Sequence, residues 1–568
     1  MSAGIIDSAI LQCAKPRRYV IAGDAMESLR QYVKTSLTDK IDVKSVKDVV
    51  TPIFTHIRDN NEKLENNKIT DPVVKQAIKE MQQLNTNQPS AFTLSHRNAV
   101  QVINAFDVPQ FKYNMERKVF ERSIKDDKNS TIFAEGRQKN EVLRDRYLLL
   151  KQIMLRNEKF NPLRQDSFTI TAIEALTGTS SLKIIMGMIV QREVGKFYLE
   201  DLTAAVQVDL SEADTNKIGL LTEGSIVIAN GIFNSDDRIY KVSAIVLCEP
   251  EPREISIKTI NQGRNDRLDL FGVRNNNISL DSEATKNQEE FTKDSCFFVT
   301  LSDVWLDQPS VLERLRSLFR YFVEDKHKEQ SQTLDRWPCA IVLIGSFVSK
   351  PMHTHSFGEN GDQSMYKKRF NELAEMLLKE FPLLVDDDSP EKIAPMFVFV
   401  PGPNDPCPGP PLVYPRPPIS TMFYKSFQEK IPNSIFISNP CRVRIYNSEI
   451  VLFRDDLQQK MHRNTVLDQK LASNPLSEHV TNTLIYNSHL TPLPISIQPI
   501  YWSHDHAMRL YPTPNVLVLA ENNERYENEQ NSCKCFNPGS FHVDSRFVIC
   551  RPLVGDVKYV VAELGQEE

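Results

Sequence analysis

A short apolar run that stops in prolines and glycines is the feature that most constrains the fold of this chain. Residues 397–400 read Phe-Val-Phe-Val, and Pro-Gly-Pro follows at once. A run of four apolar residues bounded by turn-forming residues predicts a buried strand. The loop after it, residues 401–411, carries Asn404 and Asp405 among its prolines. We therefore expect a buried strand whose end is followed by polar side chains.

The sequence around this strand alternates between strands and helices. Residues 297–301 and 339–345 are further apolar runs, and the amphipathic segments 311–323 and 365–381 lie between the runs. Such alternation predicts a sheet that is covered by helices on both faces. Further strands are predicted at 434–437, 443–446, 449–453, 515–519 and 547–549. We therefore predict a layered α/β domain with two sheets over residues 294–568.

Residues 165–255 have the pattern of a small β-barrel. Five or six short strands are separated by turn residues such as Gly195, Gly224 and Gly231, which predicts a five-stranded OB-fold. OB-folds bind single strands through aromatic side chains in a basic groove, and Phe197 and Tyr198 could stack on bases. The segment, however, has 7 Lys and Arg against 14 Asp and Glu. This negative charge opposes phosphate binding and favours a barrel that docks a protein.

The N-terminal part is predicted to be helical. Residues 1–84 contain apolar residues at helical spacing, and short helices of this kind need to pack into a bundle. Residues 85–164 are predicted to be a linker and a helical connection, and 256–293 a second linker. Residues 112–156 carry 12 Lys and Arg against 7 Asp and Glu. This basic stretch predicts a helix packed on a neighbour, with a surface facing nucleic acid or an acidic partner as the alternative.

The composition of the whole chain excludes several classes of protein. The net charge is −6, so bulk electrostatics do not predict a polyphosphate binder, and no run of about 18 apolar residues predicts a membrane helix. We also expect no secretory signal. Nine cysteines are scattered apart from Cys533-Lys-Cys535, which predicts free thiols in a reducing compartment. We expect that pair to be two ordinary thiols in a polar loop.

The loop Gly-Pro-Asn404-Asp405 resembles the Gly-Asn-His-Asp loop of calcineurin-type metallophosphoesterases, with the His absent. The resemblance implies a fold in which Asp, Asn and His at strand ends bind two metal ions about 3.5–4 Å apart. At the other junctions the chain has Asp303 but Trp305 for a His, and Gly345 but Ser346 for the bridging Asp. The run Arg-Asp-Asp at 454–456 lacks a His, and His489 keeps at most one of two imidazoles. The resemblance therefore implies a degenerate site without metal, cofactor or catalytic residue.

Two His-x-His pairs also have the spacing of metal ligands. They are His353-Thr-His355 and His504-Asp-His506, both in polar, loop-like sequence. We expect structural or surface roles for both pairs, because neither supplies the missing bridging carboxylate.

The combination of a helical N-terminus, an acidic barrel and a degenerate phosphoesterase domain resembles the B subunits of eukaryotic replicative DNA polymerases, and within them the epsilon branch. The resemblance is carried by the stretches 301–307, 401–407, 489–493 and 509–520. It implies a multidomain α+β protein that is a non-catalytic accessory subunit in nuclear chromosomal DNA replication and repair. An active binuclear-metal phosphoesterase and an OB-fold single-strand DNA-binding protein are the alternatives.

The resemblance also implies a set of partners. These are the catalytic subunit of the polymerase, GINS and the replicative helicase, the small histone-fold subunits of the same complex, and DNA within the holoenzyme, but no membrane. The N-terminal helices, residues 1–84, are expected to contact the helicase assembly. Residues 165–568 are expected to form one rigid unit that binds the C-terminal metal module of the catalytic subunit.

Overall fold

The computed structural model divides into two compact units, residues 1–95 and 96–568, and each is described by itself. The residues that the structure describes are 6–7, 10, 20–36, 68–70, 73–75, 100–123, 135–161, 164, 167–177, 181–214, 219–262, 296–324, 338–351, 362–380, 395–466 and 475–562.

In the N-terminal unit, the best described element is helix α1, Gly23–Ser36. It buries Ala25, Leu29 and Val33, which recur every four residues and so share one face. Strand β1, Val20–Ile21, pairs in parallel with β2, Lys68–Ile69. Between residues 37 and 99, which include much of the predicted helical part and the start of the predicted connection, the structure describes only 68–70 and 73–75. The bundle itself therefore stays a prediction.

The second unit contains the predicted barrel, which has six strands. They are β6 Ile170–Thr171, β7 Lys183–Glu193, β8 Lys196–Glu200, β9 Ala205–Asp209, β10 Ile226–Asn234 and β11 Ile239–Leu247. The strands pair in the order β10-β11-β9-β8-β7-β6, and an additional pairing between β10 and β7 closes the barrel. Their inward positions are apolar and buried, among them Ile189, Leu199 and Val227. The mixed α/β prediction and the OB-fold prediction are both confirmed.

The same unit contains two six-stranded sheets. Their strands are β3 Val100–Asn104, β12 Phe298–Ser302, β13 Ala340–Ile344, β14 Met396–Val400, β15 Ser434–Phe436, β16 Cys441–Ile445, β17 Ser448–Arg454, β18 Val516–Ala520, β19 Tyr526–Gln530, β20 Cys533–Asn537, β21 Arg546–Arg551 and β22 Asp556–Val561. The first sheet has the order β15-β14-β13-β12-β21-β22, and the second has the order β19-β20-β18-β17-β16-β3. One buried cluster combines apolar residues of both sheets, so the sheets pack face to face.

Helices cover the outer faces of this sandwich. A second apolar cluster joins the first sheet to the helices at 309–324, 362–380 and 421–430, and a third joins the second sheet to those at 457–463 and 476–486. None of the described helices has the length and apolarity that a membrane crossing requires. In the described part of the second unit the helices are α2 Gly136–Arg156, α3 Arg253–Ile260, α4 Pro309–Glu324, α5 Asp362–Glu380, α6 Thr421–Lys430, α7 Leu457–Arg463, α8 Leu476–Tyr486 and α9 Phe541–Asp544.

The segment 85–164 is more than the linker and helical connection that the sequence predicted. Strand β3 is an edge strand of the second sheet, antiparallel to β16. A hairpin follows, formed by β4 Phe111–Asn114 and β5 Val119–Arg122. Helix α2 then packs Tyr147, Leu150 and Met154 in one cluster with barrel residues. A unit that begins at residue 165 would lack these elements, so the compact unit starts at residue 96 instead.

The cysteine pair lies in a strand, so the prediction of a polar loop was wrong. Cys533 and Cys535 are both fully buried in β20. Their side chains share the apolar face of the strand, because residues two apart in a strand point the same way.

Candidate functional site

Three parallel strands bring most of the predicted site positions to one edge of the first sheet. The last residues of β12, β13 and β14 are in register, Ser302 beside Ile344 and Ile344 beside Val400. Because the carboxyl ends of parallel strands lie side by side, the loops that start after them meet. Five predicted positions are in contact there: Asp303, Gly345, Ser346, Asn404 and Asp405.

Asp303 is held by donors from two loops and from the end of one strand. The backbone N–H of Ser346 donates to its Oδ1 over 3.1 Å, and the Ser540 hydroxyl donates to its Oδ2 over 2.7 Å. The third partner is Arg454, whose Nη2 lies 3.1 Å from Oδ1. Asp303 and Arg454 are each 3% exposed. Both carboxylate oxygens are therefore satisfied by groups of the protein itself.

Arg454 ends strand β17 of the second sheet and makes further contacts. Its Nη1 lies 2.9 Å from Asp456 Oδ1 and donates to the carbonyl oxygen of Ala520 over 3.3 Å. One guanidinium thus connects two carboxylates from different sheets. This is a buried, charge-assisted cluster, and such clusters are held most firmly when every donor has an acceptor.

Asp405 organises the loop after β14. Its Oδ1 accepts from the N–H of Phe347 over 2.8 Å and from the Tyr366 hydroxyl over 3.2 Å, and its Oδ2 accepts from the N–H of Gly402 over 2.7 Å. Burial raises the pKa of Asp405 to about 6, although these donors favour the ionised form. Arg416 donates to the carbonyl oxygens of Gly402 and Asp405.

The neighbouring glycines allow this close approach. A Cβ added to Gly345 would lie 1.9 Å from Asp405 Oδ2, and one added to Gly402 would lie 2.2 Å from the Gly345 carbonyl carbon. Asn404 completes the loop, since its N–H donates to Ser346 Oγ over 3.2 Å.

Trp305 stands beside this cluster. Its ring stacks on His542 with centroids 3.4 Å apart and planes 12° apart. Its indole nitrogen is buried and has no hydrogen-bond partner among the residues that the structure describes. An indole N–H is a donor without a lone pair for a metal, so this side chain can pack at the site but cannot ligate there.

His489 belongs to a different network. The N–H of Thr491 donates to its Nδ1 over 3.0 Å, so its proton sits on Nε2, which lies 3.2 Å from Asp505 Oδ1. Burial and the nearby Arg146 lower the pKa of His489 to about 4. Arg146, on helix α2, also pairs with Asp505 at 2.5 Å. His489 is therefore a neutral side chain that helps to fix α2 against the turn at 502–508.

One of the two His-x-His pairs, His504 and His506, lies in the described part of the chain. His506 Nε2 lies 2.8 Å from the carbonyl oxygen of Val108, and the His504 ring meets Phe106 edge-on at 4.9 Å. These contacts are consistent with a structural role. His353 and His355 lie outside the described residues. Within the described part of the chain, no group of three or more His, Cys, Asp and Glu residues could hold a metal ion.

Sequence reasoning missed the basic residues of the site. The sequence pattern places Arg454 only in a junction without His, and it predicts no role for Arg416 or Ser540. A signal was present, because an Arg at the end of a strand of seven buried residues needs an acidic partner in the interior.

Comparison with known proteins identifies relatives over nearly the whole chain. A family model for the B subunit of DNA polymerases alpha and epsilon matches residues 298–528, and one described as DNA polymerase epsilon subunit 2-like, OB-fold domain, matches residues 136–249. DNA polymerase epsilon subunit 2 of Homo sapiens is 34% identical over 548 residues, which cover 94% of each chain. DNA polymerase epsilon subunit 2 of Drosophila melanogaster is 30% identical over 86% of this chain and 86% of its own length.

Among solved structures, an archaeal phosphodiesterase aligns with 47% of this chain and 99% of its own, at 11% identity and a TM-score of 0.24.

Proposed function

This chain belongs to the family of DNA polymerase epsilon B subunits, and from that premise we propose that its phosphoesterase-like part hydrolyses nothing. The chain is an accessory subunit of DNA polymerase epsilon. Asp303, Ser346 and Asp405, which follow strands β12, β13 and β14, belong to what we call the strand-end site, and we propose that this site has lost its metal chemistry.

The observation that carries the proposal is the buried pair of Asp303 and Arg454, with 3.1 Å between Nη2 and Oδ1. A binuclear metal site requires carboxylates that are free to offset the repulsion between two dications. Here a guanidinium already neutralises Asp303, and a metal ion beside it would place like charges together in a buried region. Ser346 offers a neutral hydroxyl and Trp305 an indole, so the residues present do not fit a metal pair. We infer that Arg454 fills the electrostatic role of the metals.

The test is a metal and activity measurement on the purified full chain. We expect no stoichiometric Mn²⁺, Zn²⁺ or Fe by elemental analysis, and no metal-dependent hydrolysis of a chromogenic phosphodiester. The matched control is Asp303→Asn, which should give the same background rate. Turnover that needs metal and disappears in Asp303→Asn would overturn the proposal.

We further propose how the chain is joined to its partners. Residues 96–568 would bind the C-terminal metal module of the catalytic subunit, using the OB barrel and the sandwich. Residues 1–84 would contact GINS and the replicative helicase in the nucleus, which makes re-engagement of the polymerase intramolecular. Contacts with the small histone-fold subunits and with DNA would follow from assembly of the holoenzyme.

Co-purification with two truncated chains separates these proposals. A chain that begins at residue 96 should retain the catalytic subunit at raised salt, because large apolar interfaces resist salt. The same chain should lose GINS. The boundary at 96 keeps β3 and α2, which a boundary at 165 would remove. Loss of the catalytic subunit with the 96–568 chain, or its retention by residues 1–95, would contradict the assignment.

A further inference from the structure

A cavity of about 220 Å³ lies where the hairpin of β4 and β5, helix α2 and the turn at 502–508 meet. It shares no lining residue with the Asp303–Arg454 site. A second recess shares Lys112, Glu141 and Asp145 with it and adds Arg137 and Arg144. We call the two together the Arg122–Arg144 cleft.

The charge of the Arg122–Arg144 cleft is positive. Its acidic residues are both neutralised locally, since Lys112 Nζ lies 3.2 Å from Asp145 and 3.6 Å from Glu141, and Arg137 Nε lies 3.2 Å from Glu141. Arg122 and Arg144 are exposed, and neither has an acidic partner among the residues that the structure describes. Two guanidinium groups are thus available to an anionic ligand.

Aromatic rings line the 220 Å³ cavity, together with Arg122. Phe106 meets the ring of His504 edge-on with centroids 4.9 Å apart, and Trp502, half-buried, lines the same cavity. Burial lowers the pKa of His504, so that imidazole is uncharged near pH 7. A cavity of about 220 Å³ is smaller than the roughly 300–1,000 Å³ of pockets for drug-sized ligands, so it suits a single ring system.

We propose that the Arg122–Arg144 cleft binds single-stranded nucleic acid, with one base against the aromatic rings and the flanking phosphates on the arginines. Aromatic side chains inside a basic groove are the combination that holds unpaired strands, because every base offers a π-face. A paired duplex keeps its bases stacked away from such a cavity, and a run of Asp and Glu residues has no ring to place there. The inference goes beyond the proposed accessory role, since it gives this chain its own nucleic-acid contact. It also places that contact outside the acidic OB barrel.

The test uses fluorescence anisotropy of the full chain with a labelled oligo(dT) over a salt series. Arg122→Gln/Arg144→Gln should weaken binding roughly tenfold and reduce the slope of log affinity against log salt by about 1.4, since each phosphate contact contributes about 0.7. The matched control, Lys258→Gln/Lys367→Gln, removes two exposed cations elsewhere and should leave affinity unchanged. Trp502→Leu should weaken binding roughly fivefold without changing the salt slope.

Three results would overturn the inference: no binding by the unaltered chain, equal loss in the control variant, or equal competition by poly-glutamate. The last result would identify the cleft as a surface for an acidic protein. Co-purification of the catalytic subunit with the same variants is measured in parallel and should be unchanged. Failure of nucleic-acid binding alone therefore leaves the accessory role standing.

Discussion

Replacing Arg454 with Met tests whether the guanidinium holds the strand-end site together. The variant keeps a long side chain but leaves Asp303 buried beside only two neutral donors, Ser346 N–H and Ser540 Oγ. It also removes the ion-pair partner of Asp456, since Arg454 Nη1 lies 2.9 Å from Asp456 Oδ1. Breaking a buried pair by removing one member costs about 3–5 kcal/mol, because the remaining charge has no counter-ion. The urea midpoint should fall by this loss divided by the m-value, which in a unit of this size exceeds the about 1–3 kcal/mol/M of small proteins.

The measurement is urea unfolding followed by tryptophan fluorescence, to which Trp305, stacked on His542 near this pair, contributes. Arg164→Met is the matched control, because Arg164 pairs with Glu158 at 3.0 Å but the two side chains are 57% and 78% exposed. Exposed pairs contribute less than about 1 kcal/mol. The double variant Arg454→Met/Asp303→Asn should lose less than the sum of the two single losses. An Arg454→Met midpoint equal to that of Arg164→Met would refute the electrostatic argument.

Three further variants test other parts of the second unit. Burial raises the pKa of Glu521 to about 8 from 4.5, so the native state holds a proton that the unfolded chain releases. As the pH rises from 4.5 to about 8, the free energy of unfolding should therefore fall by roughly 1.4 kcal/mol per pH unit. Urea unfolding from pH 5 to 9 should show this slope in the unaltered chain, and Glu521→Gln should remove it. Parallel pH profiles of the two proteins would argue against it. Gly402→Ala places a Cβ 2.2 Å from backbone and should cost at least about 2 kcal/mol, whereas Gly136→Ala meets nothing within 4 Å and should be neutral. Arg146→Met removes the 2.5 Å ion pair to buried Asp505 and leaves that carboxylate with His489 at 3.2 Å and Arg509 at 3.8 Å. The loss should speed amide exchange in helix α2, and unchanged protection there would count against the anchoring role of Arg146.

Apolar runs were sufficient to predict most of the sandwich. The strand predicted at 397–400 is found at Met396–Val400, and the helix predicted at 311–323 is found within Pro309–Glu324. Both are local patterns, so the sequence nearby contains the information. Strand β19 was missed because it reads Tyr-Glu-Asn-Glu-Gln and alternates between half-buried and exposed positions at a sheet edge. A polar edge strand has no apolar run to reveal it.

The positions at the strand ends were predictable, but their partners were not. The register of the parallel strands places Asp303, Ser346 and Asp405 together, and the apolar runs that precede these residues predict the strands. The pairing of Asp303 with Arg454 joins residues 151 apart in different sheets. His489 illustrates the same limit, since its place in a predicted motif gave no sign that it contacts Asp505 and lies near Arg146.

Strand β3 has a consequence for how the chain is made. Gln101 in this strand and Arg444 in its partner are 343 residues apart, so a ribosome adding about 5–20 residues per second needs roughly 17–70 s to supply the partner. The barrel strands pair within residues 170–247 and can fold during that wait. Strand β3 meanwhile has no sheet to join, and unpaired strand edges associate readily with other chains. Synthesis interrupted before residue 441 would therefore yield a chain with a formed barrel and an unpaired N-terminal edge strand.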